Sequence, residues 1–458
     1  MMKSGRFSEK RIAILIFLLG LIMSFMMPVW QTPDEHTHLE IIGESIGNNK
    51  FAANICDSMV VKNGYVEGHN DRKMSILDQK QILTERNTYS IEDMAPGKIS
   101  ISVIKHLPAI LGMYMGILVD LPSYWVLEMG EIFSLLYYTV ICYYALKLMP
   151  LKKGMLAMIM LLPMSLQQAS SIGYDSVLIP LCFLMISYVF YLKYEKNSIE
   201  IKECVQLFAI WLIITYIKMP YLFLIFLIMI IPLDKYHVDL KFVEIDKRFI
   251  KKIRIPFMIC MSILVIGSCY LFRDNKWIQI VYGFITEWKR GIYLLITTGA
   301  TWWKFLMTST VGSLGWLETS FPFIVIIYIY ISLVGVSVVG DKSENLKLKK
   351  WDVFVILITI VSLCVFTTIA LTNHTIMVTL YGTEFTEGSY NIREALYQIP
   401  YIGGVQGRYY LPFLGLFFLL IPRKIDVSNA VIEKVVEVGG ICLYIYVVIV
   451  LLQRYWIV

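Results

Sequence analysis

The run Pro28-Val-Trp-Gln-Thr-Pro-Asp-Glu-His-Thr-His38 crowds Asp34, Glu35, His36 and His38 into little more than one helical turn. Carboxylates beside a membrane surface can serve as general base or metal ligand, because partial desolvation raises their basicity and neighbouring charge tunes it. The same residues also suit a solvated acidic turn that ends a helix. A His-x-His pair could ligate a transition metal, and equally occurs as an exposed pair with no ligand. A second polar run, Gln167-Gln168-Ala-Ser-Ser-Ile-Gly-Tyr174-Asp175, closes an apolar stretch; helix capping and intramembrane hydrogen bonding would explain it as well as a binding role. The third, Val311-Gly-Ser-Leu-Gly-Trp316-Leu-Glu318-Thr, joins a turn to an aromatic and an acid, and interfacial Trp is commonly an anchor. The fourth, Gly403-Gly-Val-Gln406-Gly407-Arg408-Tyr409-Tyr410, places an Arg on a glycine-flexible loop. Arg grips phosphate as a bidentate fork and glycines let backbone approach an anion. Lys218, between two apolar runs, could add a second positive charge to that anion, or snorkel to the headgroups.

These residues need elements to hold them, and the composition says which kind. Of 458 residues 57% are hydrophobic and 17% charged, well to the apolar side of soluble domains. Disorder is excluded and a soluble enzyme disfavoured. The net charge of +6 is too small for a polyanion binder, so no nucleic-acid partner is expected. Of the eight cysteines only Cys56 lies in a polar segment, which implies no disulfide framework.

About 20 mostly apolar residues cross a bilayer. Candidate spans are Ile12 to Trp30, Tyr124 to Leu148, Met155 to Ala169, Val177 to Leu192, Val205 to Tyr216, Tyr221 to Pro232, Ile255 to Phe272, Phe321 to Val339, Val353 to Thr372, Tyr410 to Ile421 and Val436 to Leu452. The expected fold is therefore an all-α integral membrane protein of about eleven transmembrane helices. Lys3, Arg6, Lys10 and Arg11 precede the first run, which puts the N-terminus in the cytoplasm and residues after Trp30 outside. No small-residue cleavage pattern follows, so an uncleaved anchor is expected. Val205 to Tyr216 and Tyr221 to Pro232 are each short. Two tilted or half-length helices meeting at an outer hairpin keep the basic loop after Pro232 inside.

The resulting organisation is 1–30, cytoplasmic N-terminus and first span; 31–122, a large first outer loop with the acidic motif; 123–272, membrane helices; 273–320, an outer loop ending at Trp316 and Glu318; 321–372, membrane helices; 373–409, an outer loop ending in the Arg408 motif; and 410–458, C-terminal helices. Leu107 to Leu121, interrupted by Pro108, Gly112, Gly116 and Asp120, fits an interfacial helix better than a span. On this layout the acids, the amides, Arg408 and Lys218 gather at one extracytoplasmic face of the plasma membrane.

The four runs, in this order, resemble a family of predicted bacterial membrane proteins known as DUF2142, regarded as related to the GT-C membrane glycosyltransferases. The resemblance covers nearly the whole chain and implies a GT-C-like fold. GT-C enzymes carry an acidic residue just after the first span and use it in transfer from a polyprenyl-phosphate sugar; Asp34 and Glu35 hold that position here. Glu318 departs from the pattern, which favours Asp.

The resemblance implies an inverting transferase that passes a sugar from a polyprenyl-phosphate donor to a cell-surface polysaccharide or wall polymer. Asp34 is then the expected base, Glu35 its partner, and Arg408 with Lys218 the phosphate clamp. Gln406, Tyr409, Asp175, Tyr174, Gln168, Trp316, Glu318 and His38 would line the substrate site. A divalent metal, if used, would sit at Asp34 and Glu35. Expected partners are the lipid bilayer, the lipid-linked sugar, the surface glycan acceptor, and a companion small membrane flippase or polyprenyl-phosphate glycosyltransferase. Two other readings share this layout. A lipid-linked sugar flippase would use intramembrane acids, for which Glu128 and Glu131 are the clear candidates. A polymerase or ligase would join whole glycans.

Overall fold

The structure, a computed structural model, describes residues 7–28, 30–59, 83–236, 238–240, 243–245, 275–340, 346–382 and 391–457. The chain is mostly helical. Its strands form three two-stranded pairings and no barrel among the described residues. It divides into two compact units: residues 1–187, 308–346 and 411–458 form the first, and residues 188–307 and 347–410 the second.

The first unit is organised by the helix Ser123–Leu148. The helices Glu9–Met26, Leu107–Leu118, Lys153–Met160 and Pro163–Ala169 all pack against it. The approach of Leu107–Leu118 is closest, because Gly112 and Gly116 present bare backbone: a Cβ on Gly112 would lie 2.1 Å from the Met129 carbonyl oxygen, and one on Gly116 would lie 3.1 Å from the Val126 Cα. Small residues four apart let two helices touch along their length when no hydrophobic force draws them together in lipid. Beneath this hairpin the short helices Glu35–Ser45 and Phe51–Asp57 close a core of Trp30, Leu39, Ile42, Phe51, Ile55, Met94, Met113 and Ile172.

The second unit contains Ile201–Ile217, Met219–Ile230, Lys276–Thr286, Lys350–Ile369 and Ile392–Gln398. Met219–Ile230 is a twelve-residue 3-10 helix, long for a form that rarely exceeds 3–4 residues. Its buried residues are Tyr221, Leu224, Leu227 and Ile230, a strict period of three that matches three residues per turn. This single buried row packs against Lys350–Ile369 and Ile201–Ile217. Lys193 and Asp352, both buried, form an ion pair here.

Among the described residues five helical stretches are long and apolar enough to cross a membrane: Ile101–Leu118, Ser123–Leu148, Asp175–Tyr194, Lys350–Leu380 and Asn429–Trp456. Four coincide with expected spans. The other, Ile101–Leu118, overlaps Leu107 to Leu121, which was expected to lie in the interface; its glycines pack it closely against the next helix. Glu9–Met26 carries Glu9, Lys10 and Arg11 in its first turn. Phe323–Val338 has 16 residues and Ile201–Ile217 has 17.

Two expected spans are broken. Met155 to Ala169 splits into Lys153–Met160 and Pro163–Ala169, because Pro163 forces Leu162 to an extended ψ of 142°. Tyr410 to Ile421 splits into a 3-10 turn, Gly407–Phe413, containing Pro412, and Leu414–Leu419. All seven residues of Pro163–Ala169 are buried, which is where a membrane protein tolerates interrupted helix. The stretch 273–320, expected as a loop, contains the helices Lys276–Thr286 and Trp288–Val311. The expected span Ile255 to Phe272 lies outside the described residues.

Replacing Gly112 with Leu should displace Leu107–Leu118 from Ser123–Leu148 and cost several kcal/mol, on the scale of overpacking and beyond (~1–3 kcal/mol). Gly299→Ala, where a Cβ meets nothing within 4 Å, should be neutral or slightly stabilising. Thermal unfolding of the detergent-solubilised protein checks both, and equal midpoints for the two variants would contradict the close packing.

Candidate functional site: a buried carboxyl beneath two interlocking turns

The first run does not continue the helix Glu9–Met26 but turns sharply. Trp30 and Asp34 both adopt left-handed backbone, with φ of 67° and 66°. A Trp there is a clear outlier, whereas Asp is one of the few residue types that tolerate it. Such strain persists only when the surroundings over-determine it, and the surroundings here are the third run. The Trp316 indole Nε1 donates to the Trp30 carbonyl at 2.8 Å. That run is strained too: Leu317 has a φ of 69° and Gly315 one of 64°, within the turn that links Ser313–Leu314 to Thr319–Ser320. The Gln167 amide donates to the Gly315 carbonyl at 3.0 Å. Three runs separated by more than a hundred residues are thus tied to one another by side-chain to backbone bonds.

The turn delivers Asp34 to the N-cap of the helix Glu35–Ser45. Asp34 remains partly exposed, while Glu35 is 3% exposed. Backbone N–H groups of Ile172, Thr32 and Trp30 face the Glu35 carboxylate, and its side chain hydrogen-bonds that of Glu131. Burial outweighs these donors and pushes the Glu35 carboxyl up to about 7. Ser24 extends the chain, its hydroxyl donating to Glu131 at 3.1 Å and also contacting Glu128.

One turn along the helix, His38 is buried, with its Nδ1 3.1 Å from the Nε2 of His106. The Tyr174 ring meets His38 edge-on at 4.8 Å, and Gly173 packs against the same imidazole. The second run therefore covers both Glu35 and His38. His36 takes a different direction, toward Glu40 at 3.8 Å and the Trp30 ring, so the two histidines do not form a pair. Gln168 is buried, with its amide 3.6 Å from the Met164 sulfur. Asp175 opens the helix Asp175–Tyr194. Glu318 lies 3.5 Å from Arg454 and is exposed. Among the described residues no group of three or more His, Cys, Asp or Glu is placed to hold a metal ion, so Asp34 and Glu35 would need ligands from elsewhere to do so.

Lys218 and the fourth run meet in the second unit. The Lys218 Nζ stands 3.8 Å over the centre of the Tyr409 ring and the Arg408 guanidinium lies 5.4 Å from it. Tyr221 Oη donates to the Tyr409 carbonyl at 2.8 Å. Arg408 is 4% exposed, and Gln406, two residues before it, is half-buried. The loop leading to it is pinned by Thr298 and Thr375, which accept from Ile402 N at 2.8 Å and Gly403 N at 2.9 Å. Arg290 holds the carbonyls of Leu396 and Ile399.

Sequence reasoning did not place Ser24, His106 or Arg454 at these sites. It offered Glu128 and Glu131 only as the intramembrane acids of an alternative transport reading; as the two acids of an apolar helix, three apart on one face, they were visible, but their pairing with Glu35 was not.

These features are those of a mostly helical membrane protein whose polar centre is assembled from sequence-distant turns. The family model described as predicted membrane protein (DUF2142) matches residues 17–417, a stretch that contains all four runs, and the chain belongs to that family. No curated protein and no solved structure matches it.

Because the folded Glu35 binds its proton up to about pH 7 and an unfolded one only to about 4.5, the folded state gains from this group below pH 4.5. That gain is lost as pH rises through 7. Glu35→Gln should therefore stabilise the protein at pH 8 relative to wild type, by up to ~3 kcal/mol, and by less at pH 5. Melting curves at both values check this, and a wild-type minus variant difference that does not change with pH would refute it.

Proposed function

We propose that the protein is a membrane glycosyltransferase that transfers a sugar from a polyprenyl-phosphate donor to a surface polysaccharide or wall polymer at the extracytoplasmic leaflet. The observation that carries this reading is Asp34, a partly exposed carboxylate held by a strained turn next to a buried acid. In the reaction an acceptor hydroxyl oxygen forms a bond to the anomeric carbon as the bond from that carbon to the phosphate oxygen breaks. The polyprenyl phosphate leaves with the bonding pair, the acceptor proton passes to Asp34, and configuration inverts in the single displacement. Nucleotide sugars are absent outside the cell, so a lipid-carried donor is the chemistry available there.

Asp34 is the base because it reaches solvent, whereas Glu35 is enclosed; Glu35 and Trp316 keep the turn in place. The departing phosphate is a good leaving group and needs positive charge more than a strong acid. In this reading Lys218 and Arg408, both against Tyr409, are the cations that meet that phosphate. A GT-C-like architecture and a cytoplasmic N-terminus belong to the same reading.

A second reading, flipping of the lipid-linked sugar, is favoured by the buried Glu128 and Glu131, since ionisable groups within a membrane helix typically mark a transport path.

Asp34→Asn keeps a residue that accepts left-handed backbone. The variant should insert and fold normally while the sugar modification disappears from the cell-surface glycan. Arg408→Gln should lower transfer at least tenfold. Mass spectrometry of the glycan decides: an unaltered product in the folded Asp34→Asn protein overturns the role of Asp34. Flux of labelled lipid-linked sugar across proteoliposomes without transfer supports flipping instead.

A further inference from the structure

The stretch 276–307 holds four of the ten tryptophans, Trp277, Trp288, Trp302 and Trp303, and its cations Lys276, Lys289, Arg290 and Lys304 face a single acid, Glu287. The helix Trp288–Val311 has 24 residues, ~36 Å at about 1.5 Å each, yet it is not among the helices apolar enough to cross a membrane.

At ~100° per residue its side chains up to Met307 fall into three strips. Leu294 and Thr298 are buried, Leu294 in a core with Ile280, Phe284, Leu396 and Ile402. On the opposite side Trp288, Ile292, Ile296 and Trp303 are exposed by 57, 49, 65 and 54%. On the flank between them lie Lys289, Tyr293, Ala300 and Lys304, all exposed. One flank of the apolar strip thus carries a lysine toward each end of the stretch with the Tyr293 hydroxyl between them. A transmembrane orientation would carry Thr297, Thr298, Gly299 and Thr301 through the bilayer centre. An orientation in the membrane plane sets the rings and isoleucines in acyl chains and both ammoniums among phosphates.

We propose that the 288–307 stretch lies in the plane of the bilayer–water interface, with Trp288, Ile292, Ile296 and Trp303 in the acyl chains and Lys289 and Lys304 on phospholipid headgroups. The surface is distinct from the candidate catalytic residues and does not depend on the glycosyltransferase reading.

The test uses the full chain reconstituted in vesicles of phosphatidylcholine and phosphatidylglycerol brominated at shallow or deep acyl positions. Differences in tryptophan emission between wild type and Trp288→Phe, Trp303→Phe or Ile296→Trp report the depth of each position. All three are exposed, so the variants should remain folded. The expected result is equal quenching at the three positions, stronger with shallow than with deep bromine, and no quenching by aqueous iodide. Deeper placement of position 296 than of 288 and 303 would mean a transmembrane helix and overturn the proposal. Quenching by iodide would place the strip in water, and protection from both quenchers would mean that protein, such as a second copy of the chain, covers it; either outcome also overturns it.

Discussion

Enclosing the Glu35 carboxyl is the constraint on which the first unit's polar centre depends. Removing a carboxylate from water is costly unless its oxygens find donors or it keeps its proton. Here the N–H groups of Trp30, Thr32 and Ile172 and the side chain of Glu131 lie against it, and burial still outweighs them and favours the protonated acid. Those donors belong to two separate segments, so neither can relax alone without leaving the acid uncompensated. The left-handed backbone at Trp30 and Asp34 is tolerable for the same reason. Straightening it would break the Trp316 bond and withdraw donors from Glu35 together.

This coupling explains why the polar runs look as they do. Trp316 acts in the structure by its indole N–H on another segment's backbone, and Gln167 does the same on Gly315. Both are residues that a membrane anchor or a helix cap would also use. Tyr174 and Gly173 present a flat ring edge and a bare backbone to His38, a fit that a bulkier residue at 173 would spoil. The catalytic proposal at Asp34 inherits its geometry from these contacts.

Much of this was legible in the sequence. The runs stood out because polar residues at the ends of apolar stretches are few, and the first three do meet. Lys218 and Arg408, 190 residues apart, share Tyr409. What escaped was of two kinds. Hydrophobicity averaged over a window cannot see that Pro163 divides Met155 to Ala169, since both halves remain apolar and buried. Nor could the sequence pair Glu35 with Glu131 or His38 with His106, because each contact depends on how the Ile101–Leu118 and Ser123–Leu148 helices meet the first turn. The amphipathic stretch at 276–307 was taken for a loop because its threonines and lysines dilute the apolar signal.

The row of Tyr221, Leu224, Leu227 and Ile230 has a consequence for how such chains are counted. A 3-10 helix rises ~2.0 Å per residue against ~1.5 Å for an α-helix. The twelve residues of Met219–Ile230 therefore reach about 24 Å where an α-helix would reach about 18 Å. Sequence length alone made this segment half a crossing; tighter winding about its axis gives it most of the depth of a hydrocarbon layer. The reach of an apolar run is thus set by the pitch of its backbone as well as by its number of residues, and a tally at one fixed rise misjudges that reach.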